Sequence, residues 1–193
     1  ASTTAKIKIS WKAVKGATGY QVYRYNTKTQ KYKQIKKTKS TTFTDTKLTP
    51  GTSYAYRVRA YASDGTKSVI GKVSKVVKGI TRPYTPVILS VKKRNTTTAD
   101  IKIRTVKNVK GYRLYEYVST SKRFKLVGKI EGNVYYKYSS KTKKFTRDKS
   151  SKVAVTKKTS AIQLTVRTAN VDFKTYRRYR FKVRSYVSYG GKT

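Results

Sequence analysis

One short phrase occurs twice in this chain, each time followed by a second repeated phrase, and this limits the possible folds more than any other feature. Gly19-Tyr20-Gln21-Val22-Tyr23-Arg24-Tyr25 returns as Gly111-Tyr112-Arg113-Leu114-Tyr115-Glu116-Tyr117. Downstream, Tyr54-Ala55-Tyr56-Arg57-Val58-Arg59-Ala60-Tyr61 returns as Tyr179-Arg180-Phe181-Lys182-Val183-Arg184-Ser185-Tyr186. Residue character alternates within each phrase, the pattern of a strand with one buried face. Two strand phrases repeated in one order predict two copies of an all-β domain. The length of 193 residues leaves about 90 to 100 residues per copy, an ordinary domain size.

Other strands surround these phrases. Ile7, Ile9 and Trp11 alternate with Lys6, Lys8 and Ser10, predicting a half-buried antiparallel strand. Gly16 and Gly19 mark a turn, and Asn26-Thr27-Lys28-Thr29 a polar hairpin tip. Tyr32 and Ile35 fall on a returning strand, and Phe43 in a Thr-rich strand ending at Asp45. Pro50-Gly51 reverses the chain before a strand with Tyr56, Val58 and Ala60 inward. A last strand of the first copy is expected near Val73 to Val77.

At this point the residues carry a family resemblance. Trp11 in an early strand, the Gly-Tyr-x-Val-Tyr strand and Leu48-x-Pro50-Gly51-Thr52-x-Tyr54-x-x-x-Val58-x-Ala60 together resemble a fibronectin type III domain over residues 5–80. The likeness is greatest to the Lys- and Tyr-rich repeats of Gram-positive bacterial surface proteins. It implies two tandem β-sandwiches, an extracellular, cell-surface or cell-wall location, and a tyrosine corner at Tyr54, whose hydroxyl ties back to nearby backbone. The second copy resembles a divergent member: Thr105 stands where Trp11 stood, and Tyr179 matches Tyr54. The expected division is a first domain at 1–80, a short Pro-containing linker at 81–86 and a second domain at 87–193. The linker's prolines suit a semi-stiff spacer.

Two departures from the family pattern are expected to matter. The second copy spends Gly132 to Ser160 on a connection that the first makes with few residues. With Val134-Tyr135-Tyr136-Lys137-Tyr138, Phe145 and Val153-Ala154-Val155, it reads as an inserted hairpin plus a strand. It serves either function, as added loops often do, or a core that has lost its Trp. The family's first strand has little room before Ile7, and its last strand is missing after Tyr186. Trimming from a longer chain explains this, and so does completion by a strand from a like subunit.

The chain has no His and no Cys, which removes the commonest general base, the thiol nucleophile and the main zinc ligands. The seven acids, Asp45, Asp64, Asp100, Glu116, Glu131, Asp148 and Asp172, form no close cluster, and neither a calcium-binding loop nor a phosphate-binding loop is present. No catalytic residue, metal or cofactor is expected, and the chain reads as a non-enzyme. An internal Lys–Asn or Lys–Asp cross-link assisted by Glu116 or Glu131 remains open. Asn95-Thr96-Thr97 carries no weight in a bacterial chain. No apolar run approaches the roughly 20 residues of a membrane-spanning helix.

Charge points to the partner class. Of the net +41, residues up to Pro83 carry +17 (19 basic, 2 acidic) and those beyond it +24 (29 basic, 5 acidic), so both domains share the excess. Such a field steers anionic polymers toward the surface. Alternation places Tyr23, Tyr25, Arg57, Arg59 and Tyr61 outward in the first copy, and Tyr115, Tyr117, Arg178, Arg180, Lys182, Arg184 and Tyr186 in the second. In the resemblance these strands are sheet neighbours, giving each domain one face of cations interleaved with rings. The plainer reading is that cation–ring pairs stabilise a solvated face. The functional one is a platform for anionic polymers: teichoic acid, sulfated or sialylated glycans, or extracellular DNA. The expected role is an adhesive or spacer module, with a surface filament built by strand complementation and a nucleic-acid binder as alternatives. Trp11, Tyr54 and Tyr179 are expected to be structural.

Overall fold

The structure is a computed structural model describing residues 5–93, 98–118, 120–156, 161–167 and 180–188. Every regular element in it is a β-strand. Contacts divide the chain into two units, Ala1–Arg82 and Pro83–Thr193.

In the first unit, β1 (Ala5–Ser10) pairs with β4 (Thr42–Leu48) in a small sheet. The opposing sheet runs in the order β3 (Lys31–Thr38), β2 (Gly19–Asn26), β5 (Ser53–Ser63), β6 (Ser68–Val73), with β7 (Val77–Ile80) also on β5. The expected last strand near Val73 to Val77 is therefore two strands with a break at 74–76. At the break, Ser74 takes the hydrogen bonds a strand residue would exchange: its N–H donates to the Val58 carbonyl and its Oγ accepts from the Val58 N–H. Alternation holds where it was read: Tyr20, Val22 and Tyr56 are buried between the sheets, while β4 runs three residues past Asp45. At the β2–β3 tip, Asn26 Oδ1 accepts the N–H groups of Lys28 and Thr29 at 2.9 and 3.3 Å. Tyr54 makes its corner by accepting the Thr49 N–H at 2.8 Å. Thr81, expected in the linker, is buried and belongs to the first unit, its Oγ1 donating to the Thr49 carbonyl at 2.6 Å.

The second unit repeats this plan and enlarges it. One sheet runs β14 (Lys152–Thr156), β15 (Ala161–Arg167), β9 (Thr98–Arg104), β8 (Val87–Lys93). The other runs β13 (Phe145–Arg147), β12 (Val134–Tyr138), β11 (Arg123–Glu131), β10 (Gly111–Val118), β16 (Phe181–Tyr186). The insertion is thus the β12–β13 hairpin, which widens one sheet, and β14, which joins the other. Between β11 and β12 the chain turns on Gly132-Asn133, with Gly132 at φ 56°, the left-handed conformation that a two-residue hairpin turn requires.

Loss of the Trp puts the packing of the second core in question, and the structure shows that core filled in part by the insertion. Ile101, Ile103, Tyr112, Leu114, Ile130, Tyr135, Ile162 and Val183 form one buried cluster; the first unit's cluster holds Ile7, Leu48 and Tyr56. Trp11 is only half-buried and meets Tyr20 edge-on at 5.5 Å. The inserted Tyr135 supplies a large core side chain in the second unit, so bulk there comes from a later strand.

Candidate basic and aromatic sheet faces

The two repeated phrases pair with each other in both units. In the first, Gly19, Gln21 and Tyr23 on β2 face Tyr61, Arg59 and Arg57 on β5. In the second, Gly111, Arg113 and Tyr115 on β10 face Tyr186, Arg184 and Lys182 on β16. Directly opposed residues share a face, so the outward sets read from alternation come together as two cation–ring faces.

On the first face, Arg57 lies over the Tyr32 ring at 4.6 Å, Arg59 over Tyr23 at 5.9 Å and Lys37 over Tyr61 at 4.3 Å. Tyr25 packs on Tyr32 at 5.2 Å. On the second face, Arg180 lies over Tyr117 at 5.1 Å, Arg184 over Tyr115 at 5.7 Å and Lys182 over Phe124 at 5.8 Å. Arg178 and Tyr179 lie outside the described residues. Each cation–ring contact contributes about 0.5–1 kcal/mol on an exposed surface. With cations set over them, the rings hold the charged groups in place and are not left free as stacking platforms.

Tyr61 and Tyr186 have another task. Each lies across the strand from a glycine: a methyl group at Gly19 would collide with the Tyr61 hydroxyl, and one at Gly111 would press against that of Tyr186 at 3.0 Å. An aromatic ring laid over a cross-strand glycine covers backbone that has no side chain of its own. Tyr186, expected to be a ligand-facing ring, is buried. Its hydroxyl donates to Glu131 Oε1, which Lys129 Nζ also reaches at 3.0 Å. Partial burial would raise the Glu131 pKa, but these hydrogen bonds outweigh it and hold the carboxyl below its ordinary value. Burial, and after it the hydrogen bond to the Glu131 carboxylate, push the Tyr186 hydroxyl upward.

Residue types alone did not reveal the buried polar cluster behind the first face. Asp45 accepts from the Arg24 guanidinium at 2.8 Å and from the Tyr56 hydroxyl at 2.9 Å. The readable signal was parity: Arg24 lies two residues beyond inward Val22. In the second unit the matching positions are Glu116 and Phe181, which face each other across β10 and β16. Glu116 is buried, and desolvation lifts its pKa from 4.5 to about 7.

The other described acids also hold structural positions. Asp64 caps a turn through the N–H groups of Thr66 and Lys67, which keeps its pKa near 2. Asp148 accepts from Ser150 and Ser151, and Asp100 from the Thr165 hydroxyl at 2.6 Å. Among the described residues no three His, Cys, Asp or Glu side chains gather in a metal-binding group. A cleft of about 420 Å³ beside β1 and β7 is lined by Ile7, Ile9, Trp11 and Val77 with Lys8 and Lys75, and by no acid. No helix among the described residues is long and apolar enough to cross a membrane.

Comparison with known proteins places the first unit in a family. Residues 1–76 match the family model of the fibronectin type III domain. A 70-residue stretch is 36% identical to an amylopullulanase of Thermoanaerobacter thermohydrosulfuricus, covering 36% of this chain and 5% of that protein's length. Among solved structures, a two-domain fibronectin type III segment of chicken tenascin is 16% identical with a TM-score of 0.44, over 97% of this chain and 87% of that one. A chitinase of Bacillus thuringiensis is also 16% identical, with a TM-score of 0.29, over 95% of this chain and 25% of that one. The first unit of this chain is a fibronectin type III domain.

Proposed function

We propose that this chain is a non-catalytic module of an exported bacterial protein, holding or spacing that protein on anionic polymers through the outer sheet faces of its two units. The observation that carries the reading is the repeated face itself. Both units set arginines and lysines over tyrosine or phenylalanine rings on the sheet built from the same two phrases. Guanidinium groups held in this way keep outward N–H donors for phosphate, sulfate or carboxylate. A net charge of +41 adds long-range attraction. The family match and the partial match to a bacterial amylopullulanase support an accessory role beside another domain. Retention on immobilised teichoic acid, heparin and DNA at physiological salt tests the reading. Elution of the chain from all three below that salt would reduce it to a spacer.

A second reading, assembly with like subunits by strand addition, is favoured by one observation. Among the described residues β1 pairs only with β4, and β16 only with β10. The shared positive charge opposes it. Molecular mass measured across a hundredfold concentration range separates the two: strand addition requires growth with concentration.

A further inference from the structure

The second unit has an arrangement on its outer face that the first lacks. Strand register places Arg147 opposite Tyr136, Tyr136 opposite Lys129, Lys129 opposite Arg113 and Arg113 opposite Arg184. Directly opposed residues point to the same side of a sheet, so these five side chains form one row across all five strands. With strands about 4.8 Å apart, the row is about 19 Å long. The corresponding row of the first unit is Lys37, Gln21, Arg59 and Val73, where neutral residues alternate with the cations. Arg113, where the first unit has Gln21, makes the row continuous in charge from Lys129 to Arg184, and the inserted β12–β13 hairpin carries it two strands further, through Tyr136 to exposed Arg147.

The surroundings of the row limit what it can hold. Lys129 sits over the rings of Tyr136 at 4.9 Å and Phe145 at 5.0 Å, and Arg113 over Tyr186 at 5.3 Å. Tyr138 and Phe145 pack on each other at 5.1 Å. These rings are engaged with cations or with each other, so flat bases find no open platform of the kind that single-stranded nucleic acid needs. Glu131, the one acid beside the row among the described residues, is engaged by the Tyr186 hydroxyl and by Lys129. Four cations along one row, with Tyr136 between Arg147 and Lys129, are therefore what this lane presents.

We propose that the lane seats a linear polysaccharide carrying one carboxylate or sulfate on each sugar, laid across the strands. The proposal rests on the polyanion reading above and narrows it. The cross-strand step of about 4.8 Å is close to the repeat of an extended pyranose chain, so about five sugars span the row and bring anionic groups within reach of its four cations. The phosphates of an extended single-stranded nucleic acid are spaced more widely.

Titration calorimetry of the whole chain tests this with oligogalacturonides and heparin-derived oligosaccharides of two to eight sugars, oligothymidylates of matched charge, and inorganic polyphosphate. Affinity for at least one of the two sugar series is expected to rise up to about five sugars, the number that spans five strands, and then to level off. Arg147→Gln, at the exposed end of the lane, is expected to weaken that binding about tenfold and move the plateau to shorter oligomers. Arg184→Gln, at the other end, should act alike, while Arg57→Gln in the first unit should leave the plateau where it is. Binding that persists without a plateau, that favours oligothymidylate or polyphosphate at matched charge, or that ignores both Arg147→Gln and Arg184→Gln overturns the lane but keeps the broader polyanion reading. Absence of binding to every polyanion at physiological salt overturns both.

Discussion

Arg24, Asp45 and Tyr56 form the polar centre of the first unit, and each partner is set by strand parity. The carboxylate is nearly withdrawn from water and accepts two hydrogen bonds, one from a cation. Asp45→Ala should therefore destabilise the first unit by about 1–3 kcal/mol in urea unfolding, since it leaves the buried Tyr56 hydroxyl without its acceptor and removes the carboxylate from partly exposed Arg24. In the second unit Glu116 occupies the position of Arg24 and faces Phe181. Its pKa is raised on folding, from 4.5 to about 7, so the folded state holds the proton more tightly than the unfolded one. The contribution to stability is fully present below pH 4.5 and is lost as pH rises through 7, by up to about 3 kcal/mol for a shift of this size. Thermal melts at pH 5 and pH 8 should show the second unit weaker at the higher pH, and Glu116→Gln should remove the difference. A second unit equally stable at both pH values would contradict this account of Glu116. Chemical type misleads at such positions, because Arg24 and Glu116 read as surface residues until they are placed in phase with Val22 and Leu114.

Among the elements, the glycine that opens each repeated phrase and the tyrosine that closes its partner form a single device. The pairing accounts for the spelling of the repeat: Gly19 lies under Tyr61, and Gly111 under Tyr186. Gly111→Ala should cost more stability than Gly19→Ala. A methyl group at 111 meets the Ile130 backbone carbonyl, whereas one at 19 meets only the Tyr61 ring, which can swing. Urea midpoints of the two variants decide it, and a larger loss for Gly19→Ala would contradict the pairing geometry. Strand phase, both sandwich units, the tyrosine corner at Tyr54 and the inserted hairpin were legible in the residues, because alternation and turn chemistry act locally. The division of the last strand of the first unit was not, since Ser74 replaces strand pairing with side-chain bonds to Val58. Nor was the burial of Tyr186, whose hydroxyl finds its acceptor in Glu131, 55 residues away in sequence. The cation–ring face was legible as a set of residues, but the row across β13 to β16 required register, which no single strand encodes.

For the molecule as a whole, positive charge is both the main opponent of compactness and the main attraction for partners. Both units carry a large excess of it, and only a few of the cations are paired with acids among the described residues. If charge alone bound polyanions, any set of lysines would serve as well as the sheet faces. The account predicts that position matters, because cations held over rings present fixed donors while hairpin-tip lysines must be ordered first. The direct measurement compares two variants of equal net charge on an anionic-polymer column at physiological salt. One carries Arg57→Gln, Arg59→Gln, Lys182→Gln and Arg184→Gln on the outer faces. The other carries Lys28→Gln, Lys39→Gln, Lys141→Gln and Lys144→Gln at exposed positions away from those faces. The predicted result is elution of the face variant well before the control, which stays close to the unaltered chain; co-elution of the two variants would contradict the account.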